Sequence, residues 1–386
     1  MSFVDRDFDQ EIPEEELAHW LAFSHMSGPG IGYRKISSLL DRFENISELW
    51  NASISHLRSL HLLSDQNIEK FVKARSEIDP LELLAQVKKS HTLALHLLHP
   101  LYPARLRHIA DPPLVLYVKG HLDPQLIFHS IAVVGTRRPT NYGQRIAKSI
   151  SRDLAQAGAL IVSGMAVGID SLAHWGAIEG EGKTIAVLGC GVDICYPSSN
   201  KPLYRAILED GLGALVSEYL PGTKPQTWHF PARNRIISGI SDGVLVVEAG
   251  ESSGSLITAH MAFEQSREVY AIPGRIDAPM SIGTNKLISS MKAHLVTSAA
   301  DILHEKGWLK TKPAGAEAPA IVQLYGRELE VYGLISLEPV HFDYLAEKTG
   351  MNSGELSATL TMLELSGVVS RLPGDWYARV EAIASI

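Results

Sequence analysis

The stretch Ile131-Ala-Val-Val-Gly-Thr-Arg-Arg138 decides the fold. Four apolar residues, three of them β-branched, stop at a glycine and give way to two cations. Beyond Pro139 the apolar positions recur at helical spacing. An apolar run that short, cut off by glycine and followed by a helix, reads as a strand buried on both faces and feeding a βα loop. Similar runs recur near 159–163, 184–188, 214–218, 243–247 and 268–272, each separated from the next by an amphipathic helical stretch. Regular alternation of this kind predicts right-handed crossovers and a mostly parallel α/β sheet, Rossmann-like, over residues 95–308. Ligands of such sheets sit at the C-terminal ends of the strands.

Upstream, residues 14–90 carry helical apolar spacing (Leu17, Trp20, Leu21; Ile36, Leu39, Leu40, Phe43; Ile68, Phe71, Val72) and are expected to form a small helical domain. It is broken at Ser27-Gly-Pro-Gly-Ile-Gly32, with Arg34 and Lys35 just beyond. Two readings stand there: a helix-hairpin-helix whose turn amides hold a phosphate, or a tight turn in a helical interaction domain. Downstream, Lys310–Pro319 has the composition of a linker, placed at 309–320. Residues 321–382 then read as three helices (324–334, 342–348, 353–365) and a hairpin around 372–375, the order of a winged helix. Its third helix, where a DNA reader places its base contacts, holds Glu355 and Glu364 and no Lys or Arg. Attraction to phosphate requires cations, so this unit is read as a protein-contact module.

The net charge of −8 is unevenly spread. Residues 128–300 hold 15 basic and 14 acidic side chains, whereas 321–386 hold 4 and 9. A strongly basic nucleic-acid protein is excluded, but a local basic groove in the central region is not. Apolar runs such as 184–188 are far shorter than the roughly 20 residues a membrane-spanning helix needs. The acidic opening Met1–Asp7 has no apolar signal core, so a cytoplasmic protein is expected. Cys190 and Cys195 are too few for a disulfide framework or a four-ligand zinc site, and are expected to be buried or half-buried thiols. Neither metal nor cofactor is expected.

Four strand-end loops carry the residues suited to binding. The first, Gly135-Thr136-Arg137-Arg138, lacks the G-x-G-x-x-G of a dinucleotide site and puts cations beside backbone donors, which suits a phosphodiester. In the second, Ser163-Gly164 and Gly168 precede a helix that contains Asp170 and His174, four residues apart. That spacing fits an acid–base or metal pair, but with no third ligand in view Asp170 is read as a helix cap and His174 as a structural hydrogen-bonding group. The third loop, Thr227-Trp-His-Phe-Pro-Ala-Arg-Asn-Arg235, sets Phe230 beside Arg233, Asn234 and Arg235. Aromatics interleaved with arginine are a single-strand signature, because any base can stack on a ring. One of the two arginines is allowed an internal ion pair with Glu218 or Glu248. The fourth loop offers Ser253, Gly254 and Ser255 at a helix start as an anion cradle. No Ser-His-Asp order, paired carboxylates or Walker lysine is evident, so no catalytic residue is assigned.

Taken together, Val134-Gly-Thr-Arg137, Ser163-Gly-x-Ala-x-Gly-Ile-Asp170 with Ala173-His174, Gly191-Val-Asp-x-x-Tyr-Pro197, Ser217-Glu218, Phe230-x-x-Arg-Asn-Arg-Ile-Ile237, Ser253-Gly-Ser-Leu-Ile-Thr258 and Pro273-Gly274 resemble the bacterial DNA-processing protein A family, DprA or Smf. The resemblance runs in order over about 95–300. It implies an N-terminal sterile-alpha-motif-like domain, a C-terminal winged helix, binding of single-stranded DNA taken up in transformation, loading of a RecA-type recombinase, and a homodimer through the Rossmann-like domain. It also implies a pocket built from Arg137, the glycines of 163–168, Phe230 and Arg233-Asn234-Arg235. Many members have Arg or Lys where this chain has Val167, so no contact is assigned there. The alternative is a nucleotide-processing enzyme, since Rossmann-like cousins cleave nucleoside monophosphates with a Pro-Gly-Gly-x-Gly-Thr loop and a Glu. The corresponding loop here reads Ala249-Gly-Glu-Ser-Ser-Gly254.

Overall fold

The run ending at Val134 is an interior strand of a nine-stranded sheet. In the computed structural model, residues 12–26, 33–122, 126–308 and 324–379 are described. They fall into two units, one within residues 1–310 and one within 311–386. The Gly-rich turn at 27–32 and the linker at 309–320 lie outside the described residues.

The first unit begins with helices α1 (Glu14–Met26), α2 (Tyr33–Leu40), α3 (Ile46–Asn51), α4 (Ile54–Ser59), α5 (Asp65–Glu77) and α6 (Pro80–Lys89). Their starts are written in the sequence: Asn45, Ser53, Ser64 and Asp79 each accept a first-turn backbone N–H, and Pro80 opens α6. These helices are not insulated from the sheet. Strands β1 (Leu93–His96) and β2 (Val115–Gly120), with the short helix α7 (Ala104–Arg107) between them, form its antiparallel margin. Trp20 of α1 stacks on His96 of β1 with ring centroids 5.3 Å apart, so the helical layer and this margin share one core.

The parallel part follows as β3 (Ser130–Val134), α8 (Asn141–Gln156), β4 (Leu160–Ser163), α9 (Ile169–Glu179), β5 (Thr184–Val187), α10 (Lys201–Leu208), β6 (Gly213–Ser217), α11 (His229–Ile240), β7 (Gly243–Val246), α12 (Gly254–Glu264), β8 (Glu268–Ala271), α13 (Ile282–Ser289), β9 (His294–Leu295) and α14 (Ala299–Glu305). All six parallel strands expected from sequence are present. The spatial order is β1-β2-β6-β5-β4-β3-β7-β8-β9. Side chains alternate across the sheet. Ile131 and Val133 join α8, α9 and α14 on one face, while Ala132 and Val134 join α11 and α12 on the other. The chain winds outward from β3 through β4, β5 and β6, then returns to add β7 on the opposite side of β3. This is the topological switch point, where the loops after β3 and β7 diverge and open a crevice.

Strands β1, β2 and β9 were not foreseen. The first two are antiparallel and isolated from the βα alternation, and β9 is only two residues long and exposed, so none carries a readable period.

The second unit comprises α15 (Arg327–Leu334), β10 (Val340–His341), α16 (Phe342–Thr349), α17 (Ser353–Leu365), β11 (Val369–Leu372) and β12 (Trp376–Arg379), with sheet order β10-β12-β11. This is the winged-helix order expected, with its own core of Val331, Leu345, Leu356, Leu360 and Leu363. Gly350 ends α16 in the left-handed conformation. Glu355 of α17 is ion-paired with Arg327. No described helix is long and apolar enough to cross a membrane.

Helices α8 and α9 approach closely at Gly176, which has no side chain. A Cβ there would lie 2.4 Å from the backbone oxygen of Lys148. Gly176→Ala gains about 1 kcal/mol of helix propensity but forces two backbones apart, an overpacking cost of about 1–3 kcal/mol. The expected net result is a lower melting temperature in a thermal scan.

Candidate nucleic-acid interface

The crevice at the switch point is an open groove of about 480 Å³, lined by residues from the loops after β3, β4 and β7, the first two turns of α11, and Tyr196. Three of the four predicted loops contribute directly: Gly135 and Arg137 from the first, Phe230, Arg233 and Asn234 from the third, and Ser253, Gly254 and Ser255 from the fourth. The second loop contributes Ala166 and Asp170 rather than its serine and glycines.

Exposed Arg137 and half-buried Phe230 form the working edge. The Arg137 guanidinium lies 5.8 Å over the Phe230 ring, a cation–π arrangement that holds it at the groove mouth. Among the described residues Arg137 has no ion pair, so its charge stays available. Tyr196 also packs against Phe230, centroids 5.5 Å apart at 31°, and is itself 46% exposed. Sequence reasoning assigned Tyr196 no role, although it sits in a strand-end loop after β5. An aromatic in such a loop is the signal that could have found it.

The loop behind this edge is braced by Glu248, at the end of β7. This buried carboxylate accepts from the Thr140 backbone N–H at 2.9 Å and from its hydroxyl at 2.5 Å. Thr140 in turn caps α8 by accepting from Gly143 N–H. Thr136 is likewise committed: its N–H donates to Glu248 O, its carbonyl accepts from Ile169 N–H, and its hydroxyl accepts from Arg138 N–H. It fixes the loop and offers a ligand no free backbone donor.

The glycines of the second loop serve the protein itself. Gly168 has φ +86°, and a Cβ there would meet the Thr136 carbonyl at 2.5 Å. A Cβ on Gly164 would meet the Arg233 guanidinium and the Asp170 carboxylate, both at 2.6 Å. The expectation that these glycines admit a ligand is therefore corrected: the space is filled by the first loop and by two buried side chains. Ser163 is buried too, its hydroxyl donating to Val133 O at 2.6 Å, so it does not reach the groove.

Those two groups, the Arg233 guanidinium and the Asp170 carboxyl, attract each other across the Gly164 backbone. Arg233 is only 4% exposed and donates from Nη1 to the carbonyls of Gly164, at 2.8 Å, and Val187. Burial pushes the Asp170 carboxyl up to about 6, against the pull of Arg233, the Ala166 and Gly164 backbone N–H groups and Arg137. Asp170 thus ties the second loop together from within α9, while the cap position itself is Gly168 with no side-chain bond. His174 behaves as expected of a structural group. Its Nδ1 meets Thr184 Oγ1 at 2.6 Å, and burial drives its pKa down to about 3, keeping the ring neutral.

Arg235 points away from the groove, which corrects its expected role as a charge partner there. On α11 it falls on a different face from Arg233, and its guanidinium grips Glu218 through two bonds of 2.7 and 2.6 Å while Nε donates to Asp111 O at 2.9 Å. Glu218 was one of the two partners anticipated for an internal pair. Asn234 does face the groove; its Oδ1 accepts from Arg233 Nε at 3.3 Å, leaving its amide N–H₂ without a partner among the described residues. Ser253 caps α12, accepting from Ser255 N–H at 3.4 Å, and the two hydroxyls meet at 2.8 Å. Gly254 is exposed, and a Cβ there would meet nothing within 4 Å. The fourth loop is therefore the one whose backbone is open to an incoming anion. Cys190 is buried and Cys195 half-buried, both free thiols.

Comparison with known proteins places this geometry. Residues 94–307 match the family model described as DNA recombination-mediator protein A, and residues 315–375 match one described as the DprA winged helix domain. The chain is 34% identical to Protein Smf of Synechocystis, covering 95% of this chain and 100% of that protein. It is 40% identical to DNA processing protein DprA of Streptococcus pneumoniae, over 72% and 94% of the two chains. The X-ray structure of the Streptococcus pneumoniae protein superposes with a TM-score of 0.65 at 37% identity, covering 77% of this chain and 99% of that one. A structure of DNA processing protein A from Helicobacter pylori, described for its single-stranded DNA binding mode, superposes at 0.50 with 31% identity, over 56% and 97%.

Removing one partner of a mostly buried ion pair costs about 3–5 kcal/mol, whereas replacing both by apolar groups is often neutral. Arg235→Ala is accordingly expected to lower stability to urea by about 3 kcal/mol, and Arg235→Met combined with Glu218→Leu to recover most of it. A single variant as stable as the parent would refute the structural assignment of Arg235.

Proposed function

The chain belongs to the DNA recombination-mediator protein A family, and from that premise we propose that its groove at the sheet switch point holds single-stranded DNA without acting on it chemically. The observation that carries this reading is the unpaired Arg137 poised over Phe230, with Tyr196 packed against the same ring, at the mouth of the groove. A stacked base and its flanking phosphate need that pairing of ring and cation. Support for a purely binding role comes from Asp170 and His174, which have the spacing of an acid–base pair but are buried and committed to internal partners.

In this reading Phe230 and Tyr196 take bases, and Arg137 with the open backbone at Gly254 takes phosphates. Asn234 donates its amide, and Arg233 adds charge from beneath. The role of a cytoplasmic mediator that carries transformation DNA to a RecA-type recombinase is supported by the family's description and by the relatives' names as DNA-processing proteins. A homodimer through the first unit is supported by the outer margin of the sheet, where β9 has no further neighbour among the described strands and Met291 and Leu295 are exposed. Two grooves in one particle would raise avidity on a long strand without new contacts. The acidic winged helix is read as a protein-contact unit.

Two measurements check the groove. In fluorescence anisotropy with labelled oligothymidine, Arg137→Ala with Phe230→Ala is expected to weaken binding at least about tenfold, since stacking alone is worth about 1–3 kcal/mol per base. The slope of log affinity against log salt is expected to become shallower by about 0.7 for the lost phosphate contact. Unchanged affinity in the double variant would mean that DNA binds elsewhere.

Asp170 supplies the pH dependence. Its folded pKa lies above the unfolded one, so its contribution to folding is present below the usual carboxylate range and lost as pH rises through about 6. The same protonation leaves the Arg233 charge uncompensated beneath the groove. Affinity for oligothymidine is expected to rise as pH falls through about 6, and Asp170→Asn to remove that rise by holding the high-affinity state at neutral pH. A pH profile that is identical in parent and variant would contradict this assignment.

A further inference from the structure

The first turn of α11 divides two cavities. Thr227 and Phe230 face the groove, whereas Trp228 and His229 face a second cleft of about 530 Å³ between α11, the end of β6 and the helical layer. Thr227 and Trp228 are consecutive in the turn that leads into α11, so the linings of the two cavities adjoin there.

The cleft holds three rings in contact. Tyr219 and His229 stack face to face, with centroids 3.8 Å apart at 24°, and Trp228 meets His229 edge-on at 4.1 Å. The inner part is rigid: His229 is buried, and its Nδ1 lies 3.0 Å from the Gly189 carbonyl. The outer ring is not covered, since Trp228 is 65% exposed. An indole braced from behind and open in front is pre-organised for stacking, because little side-chain freedom remains to be lost.

The geometry points to this cleft as a second base-accepting station on the path of the same single strand. Leaving the groove past Phe230, the strand crosses the first turn of α11 and lays its next base on Trp228. This rests on the reading of the groove as a strand-binding site. The adjoining linings at Thr227 and Trp228 name the occupant, and the ring chemistry fits a nucleobase of any sequence. Arg235, at the cleft wall, is locked to Glu218 and lends no free charge. Beyond Leu220 and Thr223 the surface turns acidic at Glu77, Asp79 and Glu82, which repels a phosphodiester and ends the path there.

The test compares oligothymidines of about six and about twenty nucleotides, short and long relative to a typical single-strand site. Both are bound to the full chain in anisotropy titrations. Phe230→Ala is expected to weaken both. Trp228→Ala is expected to leave the short strand within about twofold and weaken the long one about fivefold or more. As a second readout, the long strand quenches tryptophan emission in the parent and loses much of that quenching in Trp228→Phe. Because Trp228 is largely exposed, an unchanged thermal transition confirms that the variants are folded. If Trp228→Ala binds the long strand like the parent while Phe230→Ala does not, the second station is refuted and the cleft belongs to another ligand, such as an aromatic side chain of a protein. If Phe230→Ala changes neither strand, the groove reading itself fails and takes this extension with it.

Discussion

The buried guanidinium of Arg233 is the constraint on which the rest of the site depends. From one helix it reaches the carbonyl of Gly164, the carbonyl of Val187 at the end of β5, and the neighbourhood of Asp170 in α9. The loop after β4 and the end of β5 are thereby held against α11. Taking a charge out of water costs several kcal/mol unless it is fully partnered. Here the bonded partners are two peptide oxygens, and the Asp170 carboxyl, which accepts from the Gly164 and Ala166 backbone N–H groups, adds attraction from nearby. Arg233 and Asp170 together act as the frame, and the residues that meet solvent are mounted on it.

This division of labour explains how a chain of net charge −8 can present a surface for a polyanion. Most of the motif residues are turned inward, and the cations that remain outside in the groove are few and locally placed. Arg137 sits at the mouth without a counter-ion, while Glu248 spends its charge on Thr140 and Glu218 spends its own on Arg235. Local potential in a concave site is set by such unpaired charges and not by the total.

Much of this was legible in the sequence. The parallel strands announced themselves because each is an uninterrupted apolar run bounded by glycine or polar residues, and the winged helix because its caps and hairpin residues are conventional. The antiparallel margin was not, since a single hairpin-like excursion beside a helical layer leaves no period to count. In the site, residue types pointed to the right loops but not to the right faces. Gly164 and Gly168 have no side chain because the protein's own loops cross there, and a small residue looks the same in sequence whether its space is kept for a ligand or for a neighbour. Arg233 and Arg235 differ by two positions on α11, about 200° of helical rotation, and one joins the frame of the groove while the other turns to Glu218. Tyr196 was passed over because its contribution appears only when the end of β5 is set beside α11.

The order of the strands has a consequence for when the site comes into being. β3, which carries Arg137 at its end, pairs on one side with β4 close by and on the other with β7, where Ile131 lies opposite Gly243 more than a hundred residues later. The wall containing Ser253 and Gly254 follows β7. A chain emerging from the ribosome therefore exposes an unpaired edge of β3 through the synthesis of three further strands, and no partial product can assemble the groove. Non-local pairing of this kind makes folding slow and raises the aggregation risk of intermediates. It also means that the groove forms in a single late step, when β7 closes against β3.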